Sequence, residues 1–103
     1  MQTVGGVEVR LFENMLDRIF RKHGELRNLG RLILETVRTP DLVLKGHGKE
    51  LLALRHYSAT PLGPKDMVVI YREDKQLIIT AFLTSKSSKL LSKRRTVWQK
   101  PRL

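Results

Sequence analysis

The feature that most constrains this chain is the stretch 67–86. Two runs rich in β-branched and aromatic residues, 67–73 and 76–84, flank the charged pair Asp74 and Lys75. Runs of that kind separated by polar residues read as a β-hairpin. Both faces of the hairpin are largely apolar, so both need cover. Val68, Ile70, Ile79, Ala81 and Leu83 are expected to pack under helices. If Asp74-Lys75 is a two-residue turn, Met67, Val69, Tyr71, Ile78, Thr80, Phe82 and Thr84 share the other face. That second face mixes hydroxyls and aromatics with apolar side chains, which suits a binding groove.

The segments before the hairpin supply the helices and two more strands. Leu11, Met15, Leu16, Ile19 and Phe20 recur at three- and four-residue spacing, which predicts a helix over 7–22 stopped at Gly24. Leu26, Leu29, Leu32, Ile33 and Val37 predict a second helix over 25–38. Gly30 lies inside that helix at a cost of about 1 kcal/mol against alanine, and a close helix–sheet contact would explain it. Pro40 ends the helix, because proline disfavours helical geometry at the residue before it. Strands are then expected at 42–44 and 50–57, joined by the turn Gly46-His47-Gly48, with a loop over 58–65. The order predicts a single α+β domain over 1–103: two N-terminal helices packed on a four-stranded antiparallel sheet. Residues 1–6 read as a frayed end and 85–103 as a basic C-terminal segment. Leu90, Leu91, Val97 and Trp98 predict that part of this segment docks, with Trp98 as a packing anchor.

Charge narrows the partners. The chain carries 20 Lys and Arg against 10 Asp and Glu, a formal net charge of +10. The excess is uneven. Lys86, Lys89, Lys93, Arg94, Arg95, Lys100 and Arg102 follow Thr84 with no acid among them, which leaves 13 basic and 10 acidic residues before it. A cationic block of this kind points to a polyanion, and a nucleic acid is the expected partner. No apolar run approaches the roughly 20 residues of a membrane span. The first residues lack the basic and apolar regions of a signal peptide. The absence of cysteine excludes disulfides and thiolate chemistry, and the cytoplasm is the expected compartment.

The remaining inventory suits phosphodiester chemistry without a metal or cofactor. The three histidines, His23, His47 and His56, have no zinc-site spacing, and no phosphate loop or serine elbow is present. Cleavage through a 2′-hydroxyl needs a base, an acid and cations at the phosphorane. His23 beside Glu25 reads either as a proton-transfer pair or as an exposed capping histidine near a solvated acid. Arg55 lies mid-strand, where an arginine is uncommon unless paired or bound. Thr80 and Thr84 offer hydroxyls, although strand propensity alone accounts for them. Arg72 ends a strand, and His47 decorates a glycine turn.

Several blocks follow one another in an order that resembles a known group. They are His23-x-Glu25-Leu26, residues 34–46 with Pro40-Asp41-x-Val43, residues 51–55, residues 67–73 and residues 78–86. The set is similar to the phage- and mobile-element-associated proteins of the barnase–EndoU–colicin–RelE-like nucleases, and it spans about 23–98. The resemblance implies N-terminal helices on an antiparallel sheet and metal-independent RNA cleavage, often in toxin or phage systems where an acidic antitoxin is the partner. Carried over by position, it implies His23 and Glu25 as the proton-transfer pair, Arg55 and Lys86 at the phosphorane, and Thr80 and Thr84 as hydrogen-bonding hydroxyls. Arg72, Lys86, Lys89, Lys93, Arg94 and Arg95 would hold the RNA. The chain departs from the group's usual His-Pro-Glu-Leu at Gly24, and it has no histidine before His23. The expected function is therefore a metal-independent endoribonuclease, with a nucleic-acid- or partner-binding domain that does not cut as the alternative.

Overall fold

The computed structural model describes residues 1–101. The chain runs α1 (Glu13–Lys22), a 3-10 turn (Gly24–Leu26), α2 (Gly30–Arg38), β1 (Leu42–Lys45), β2 (Leu51–Tyr57), β3 (Lys65–Arg72), β4 (Leu77–Thr84), α3 (Ser87–Lys93) and β5 (Thr96–Gln99). The strands form one antiparallel five-stranded sheet in the order β4-β3-β2-β1-β5. The α+β class and the four expected strands are present, with α3 and β5 added from the C-terminal segment. Trp98 pairs with Val43 across the new β1–β5 ladder and packs against the core, as an anchor does. Arg102, the last cation of the basic segment, lies outside the described residues.

The helices are shorter than the periodicity implies. Thr3 is buried, and its hydroxyl donates to Glu73. Val9 N donates to Met1 O at 2.9 Å. Arg10 N donates to Gln76 O at 3.0 Å and Arg10 O accepts from Ile78 N at 2.9 Å. These bonds correct the frayed end: residues 1–6 are tied into a small hairpin, and 7–10 run beside β4 instead of opening α1. The second helix is interrupted because Asn28 takes a φ of +68°, which no continuous helix allows. Gly30 is therefore the first residue of α2 rather than an interior one. A Cβ there would meet only Leu16 Cδ1, at 3.9 Å, so no close contact demands the glycine.

The hairpin register also differs from the expected one. The turn spans Glu73 to Gln76, with Gln76 N donating to Glu73 O at 3.2 Å and Gln76 at a φ of +55°. One extra residue, Ile79, then sits between the pairs Ile70–Thr80 and Tyr71–Ile78. A one-residue bulge moves everything beyond it to the opposite face. Met67, Val69, Tyr71 and Ile78, expected on the open face, pack under α1 and α2 together with Ala81, which was expected there. Val68 and Ile70, expected under the helices, lie on the other face with Phe82.

That other face carries a second apolar cluster of Leu44, Leu52, Leu54 and Val68, all buried. Leu90 of α3 packs against it. The sheet is thus covered on both sides, by two helices on one and a single short one on the other.

Two glycines separate need from habit. A Cβ on Gly46 would fall 2.8 Å from Leu52 Cδ1 and 3.0 Å from Glu50 O. Gly46→Ala is expected to lower stability by about 1–3 kcal/mol through overpacking, whereas Gly30→Ala is expected to leave it unchanged or raise it by up to about 1 kcal/mol. Thermal unfolding of both variants checks this, and equal melting temperatures would contradict it.

Candidate nucleic-acid interface

Arg55 belongs to the helix-covered face. Its Nη1 donates to Thr39 O at 2.6 Å and to Thr39 Oγ1 at 2.7 Å. Its Nε lies 3.6 Å from Glu35 Oε1, and its guanidinium carbon is 5.6 Å from the Tyr57 ring centroid. Tyr57 in turn donates to Glu35 Oε1 at 2.9 Å, while Thr36 Oγ1 donates to Leu32 O at 2.7 Å. These bonds tie β2 to the end of α2 and the chain leaving it, and they answer why an arginine stands in mid-strand.

Thr80 and Thr84 lie apart on β4, and His23 stands beside Phe82 of that strand. His23 follows α1 and sits with Nδ1 3.6 Å from Glu25 Oε1. Its ring centroid is 6.1 Å from that of Phe82, which packs with the second apolar cluster. Thr80 pairs with Ile70 and lines a small cleft with Arg18, Ile19 and Lys22 of α1. Thr84 Oγ1 accepts from Lys86 N at 3.0 Å, shaping the turn into α3. Arg55 belongs to β2, whereas His23 stands beside Phe82 of β4, and β3 lies between those two strands. The structure joins the His23–Glu25 pair and does not bring Arg55 to it.

A second histidine–carboxylate pair escaped the sequence reading. His56 Nδ1 lies 2.8 Å from Asp66 Oδ1, and His56 N donates to Asp41 Oδ2 at 2.8 Å. His56, Asp66 and Thr84 are successive cross-strand partners over β2, β3 and β4, so they form one row at the end of the sheet. The 59% exposure of the His56 side chain leaves the ring open to solvent. Such a row is visible only once register is known, because its members are ten and eighteen residues apart in the chain.

The expected RNA-holding cations divide by what they touch. Arg72 is committed to Asp74 through Nε–Oδ1 at 2.9 Å and Nη2–Oδ2 at 2.6 Å. That bidentate pair raises the guanidinium's proton affinity and holds the Asp74 carboxyl below its usual range. Lys86, Lys89 and Lys93 are exposed along α3. Lys89 and Lys93 are one turn apart, beside the face on which Ser87, Leu90 and Arg94 are half-buried. Arg94 reaches His47, its Nη2 lying 3.3 Å from Nε2. Arg95 is exposed beside β5, and its carbonyl accepts from Lys45 N at 2.8 Å. Among the described residues, no group of three or more His, Cys, Asp or Glu is placed to hold a metal ion, and no helix is long and apolar enough to cross a membrane. Compared with family models, curated proteins and solved structures, the chain matches none.

The two tyrosines give the packing a pH signature. Burial is the largest cause pushing the Tyr57 phenol up to about 12; the Thr36 bond works against it and Glu35 adds to the rise. Burial, then the charge of Glu73, holds Tyr71 still further above the ordinary range. Both phenols are neutral in the fold at pH values where an unfolded tyrosine, near about 10, ionises. Their stabilising contribution is full below about pH 10 and is lost as pH climbs through the folded values. Tyrosinate absorbance and loss of circular dichroism should therefore rise together above about pH 10. Ionisation of both residues near pH 10 in an intact fold would contradict this.

Proposed function

We propose that this chain binds RNA on a RelE/barnase-like scaffold, holding the phosphate backbone along α3 and its exit into β5. The observation that carries the reading is the order of cations Lys86, Lys89, Lys93, Arg94 and Arg95, with no carboxylate anywhere in 84–101. Among the described residues none of these five forms an ion pair, in contrast to Arg55 and Arg72. A docked helix presents them at fixed spacing, so binding does not require ordering a loose tail. Backbone contacts of this kind release counterions and depend steeply on salt. Titration of a short single-stranded RNA across salt concentrations tests it. Affinity should fall steeply as salt rises, and Lys89→Ala and Lys93→Ala should each lower the log–log slope by about 1. Binding that ignores salt, or slopes unmoved by either variant, would remove the proposal.

Metal-independent RNA cleavage is the second reading, favoured by the two histidine–carboxylate pairs, His23–Glu25 beside Phe82 and His56–Asp66 across β2 and β3. His56, with Asp66 on its Nδ1, is suited to take a proton from a 2′-hydroxyl, and Thr84 stands next in the row. The separation of Arg55 from these groups, together with Gly24 and the missing upstream histidine, is why binding is placed first. Incubating RNA with pure protein in excess chelator distinguishes the two. Cleavage that His23→Ala or His56→Ala reduces by about a hundredfold or more supports cutting. Intact RNA with the wild-type chain leaves binding alone.

A further inference from the structure

The geometry points to a proton-coupled phosphate clamp formed by His47 and Arg94, in which uptake of a proton by His47 opens a site for one phosphodiester group of RNA. The inference rests on the RNA-binding reading and adds to it a residue, a location and a dependence on pH.

The two side chains come from distant parts of the chain. His47 sits at the tip of the β1–β2 turn, and Arg94 closes α3. Arg94 Nη2 lies 3.3 Å from His47 Nε2. A guanidinium has no acceptor, so Nε2 must be the acceptor and carries no proton in this arrangement. A proton on Nε2 would turn that contact into two cations facing each other. An anion between them relieves the repulsion, because one phosphate oxygen can accept from Nε2–H and another from Nη2–H. Phosphate and proton therefore favour each other's binding, as linkage requires.

Both side chains are held by the backbone around them. Gly46 N donates to Glu50 O at 2.8 Å and Glu50 N donates to His47 O at 2.9 Å. Gly48 has a φ of +56°, and Gly46 has no room for a Cβ, so the turn presenting His47 is tightly specified. Arg94 N donates to Leu90 O at 3.0 Å, and Lys45 N donates to Arg95 O at 2.8 Å, which joins the two connections.

The surrounding charges favour an anion. Lys45, with Nζ on Gly48 O at 2.5 Å, and Lys49 belong to the turn, while Lys93 and Arg95 flank Arg94. Two of the nearby acids face other partners. Glu73 accepts from Thr3 and Asp74 holds Arg72, which leaves Glu50, three residues after His47, as the acid of the turn itself.

The test measures affinity for a short oligouridylate at about pH 8 and about pH 5.5, on either side of the range in which histidines titrate. The wild-type chain should bind about two- to fivefold tighter at the lower pH, the size expected of one added exposed ion pair. His47→Gln should abolish most of that gain and leave affinity at the higher pH little changed. Arg94→Gln should weaken binding at both values. Arg31→Gln, which removes one exposed positive charge on α2, should keep the gain, which separates the clamp from a general effect of net charge. A gain that survives in His47→Gln, or no gain in the wild type, overturns the clamp and leaves RNA binding standing. Absence of RNA binding at either pH overturns the RNA-binding reading and the clamp with it. His47 is exposed, so an unchanged melting temperature for His47→Gln shows that the fold is not the cause.

Discussion

The structure turns on a sheet that is apolar on both faces. Val69, Tyr71, Ile78 and Ala81 need the two N-terminal helices, and Leu44, Leu52, Leu54 and Val68 need something else. Exposed, the second set would be a hydrophobic patch of the kind that soluble monomers avoid. The C-terminal segment supplies the cover. Leu90 seats α3 on the second face, and β5 adds to the free edge of β1, so a run that is cationic by composition is docked by a few apolar residues. Burial on one side of α3 fixes which side its lysines leave exposed. Packing and the proposed function thus share one element.

The same constraint explains what was legible in the sequence. Strands β1 to β4 could be read to within two residues at each end, because alternating or continuous apolar runs bounded by glycine and proline are local signals. Face assignment failed for β3 and Ile78 and held for Ala81, Phe82 and Leu83, since the single extra residue at Ile79 shifts the alternation of one strand against the other while leaving composition untouched. The break at Asn28 was hidden because asparagine in a left-handed conformation looks like any polar residue within an apolar periodicity. Helix α3 and strand β5 offer too few apolar residues to show a period. Trp98 and Leu90, among the four apolar residues that signalled docking, are the ones that pack.

The site was less legible than the fold. His23 and Glu25 are neighbours in sequence, and their contact followed from that alone. Arg55 was an anomaly correctly noticed in mid-strand, and its partners Glu35 and Thr39 lie in the helix and connection that pack over it. His56 with Asp66, and His47 with Arg94, depend on strand register and on the path of the last segment. A histidine's role is set by the atom facing each ring nitrogen, which no spacing rule supplies for residues joined by the fold.

The central claim is that the docked C-terminal segment, together with the β1–β2 turn, forms the surface that meets RNA. Backbone amide chemical-shift mapping during titration with single-stranded RNA tests it most directly. The account predicts that the largest shifts fall on residues 86–95 and 46–49, while α1 and α2 stay still. Shifts concentrated on the helix-covered face around Glu35, Thr39 and Arg55, with α3 unmoved, would contradict it.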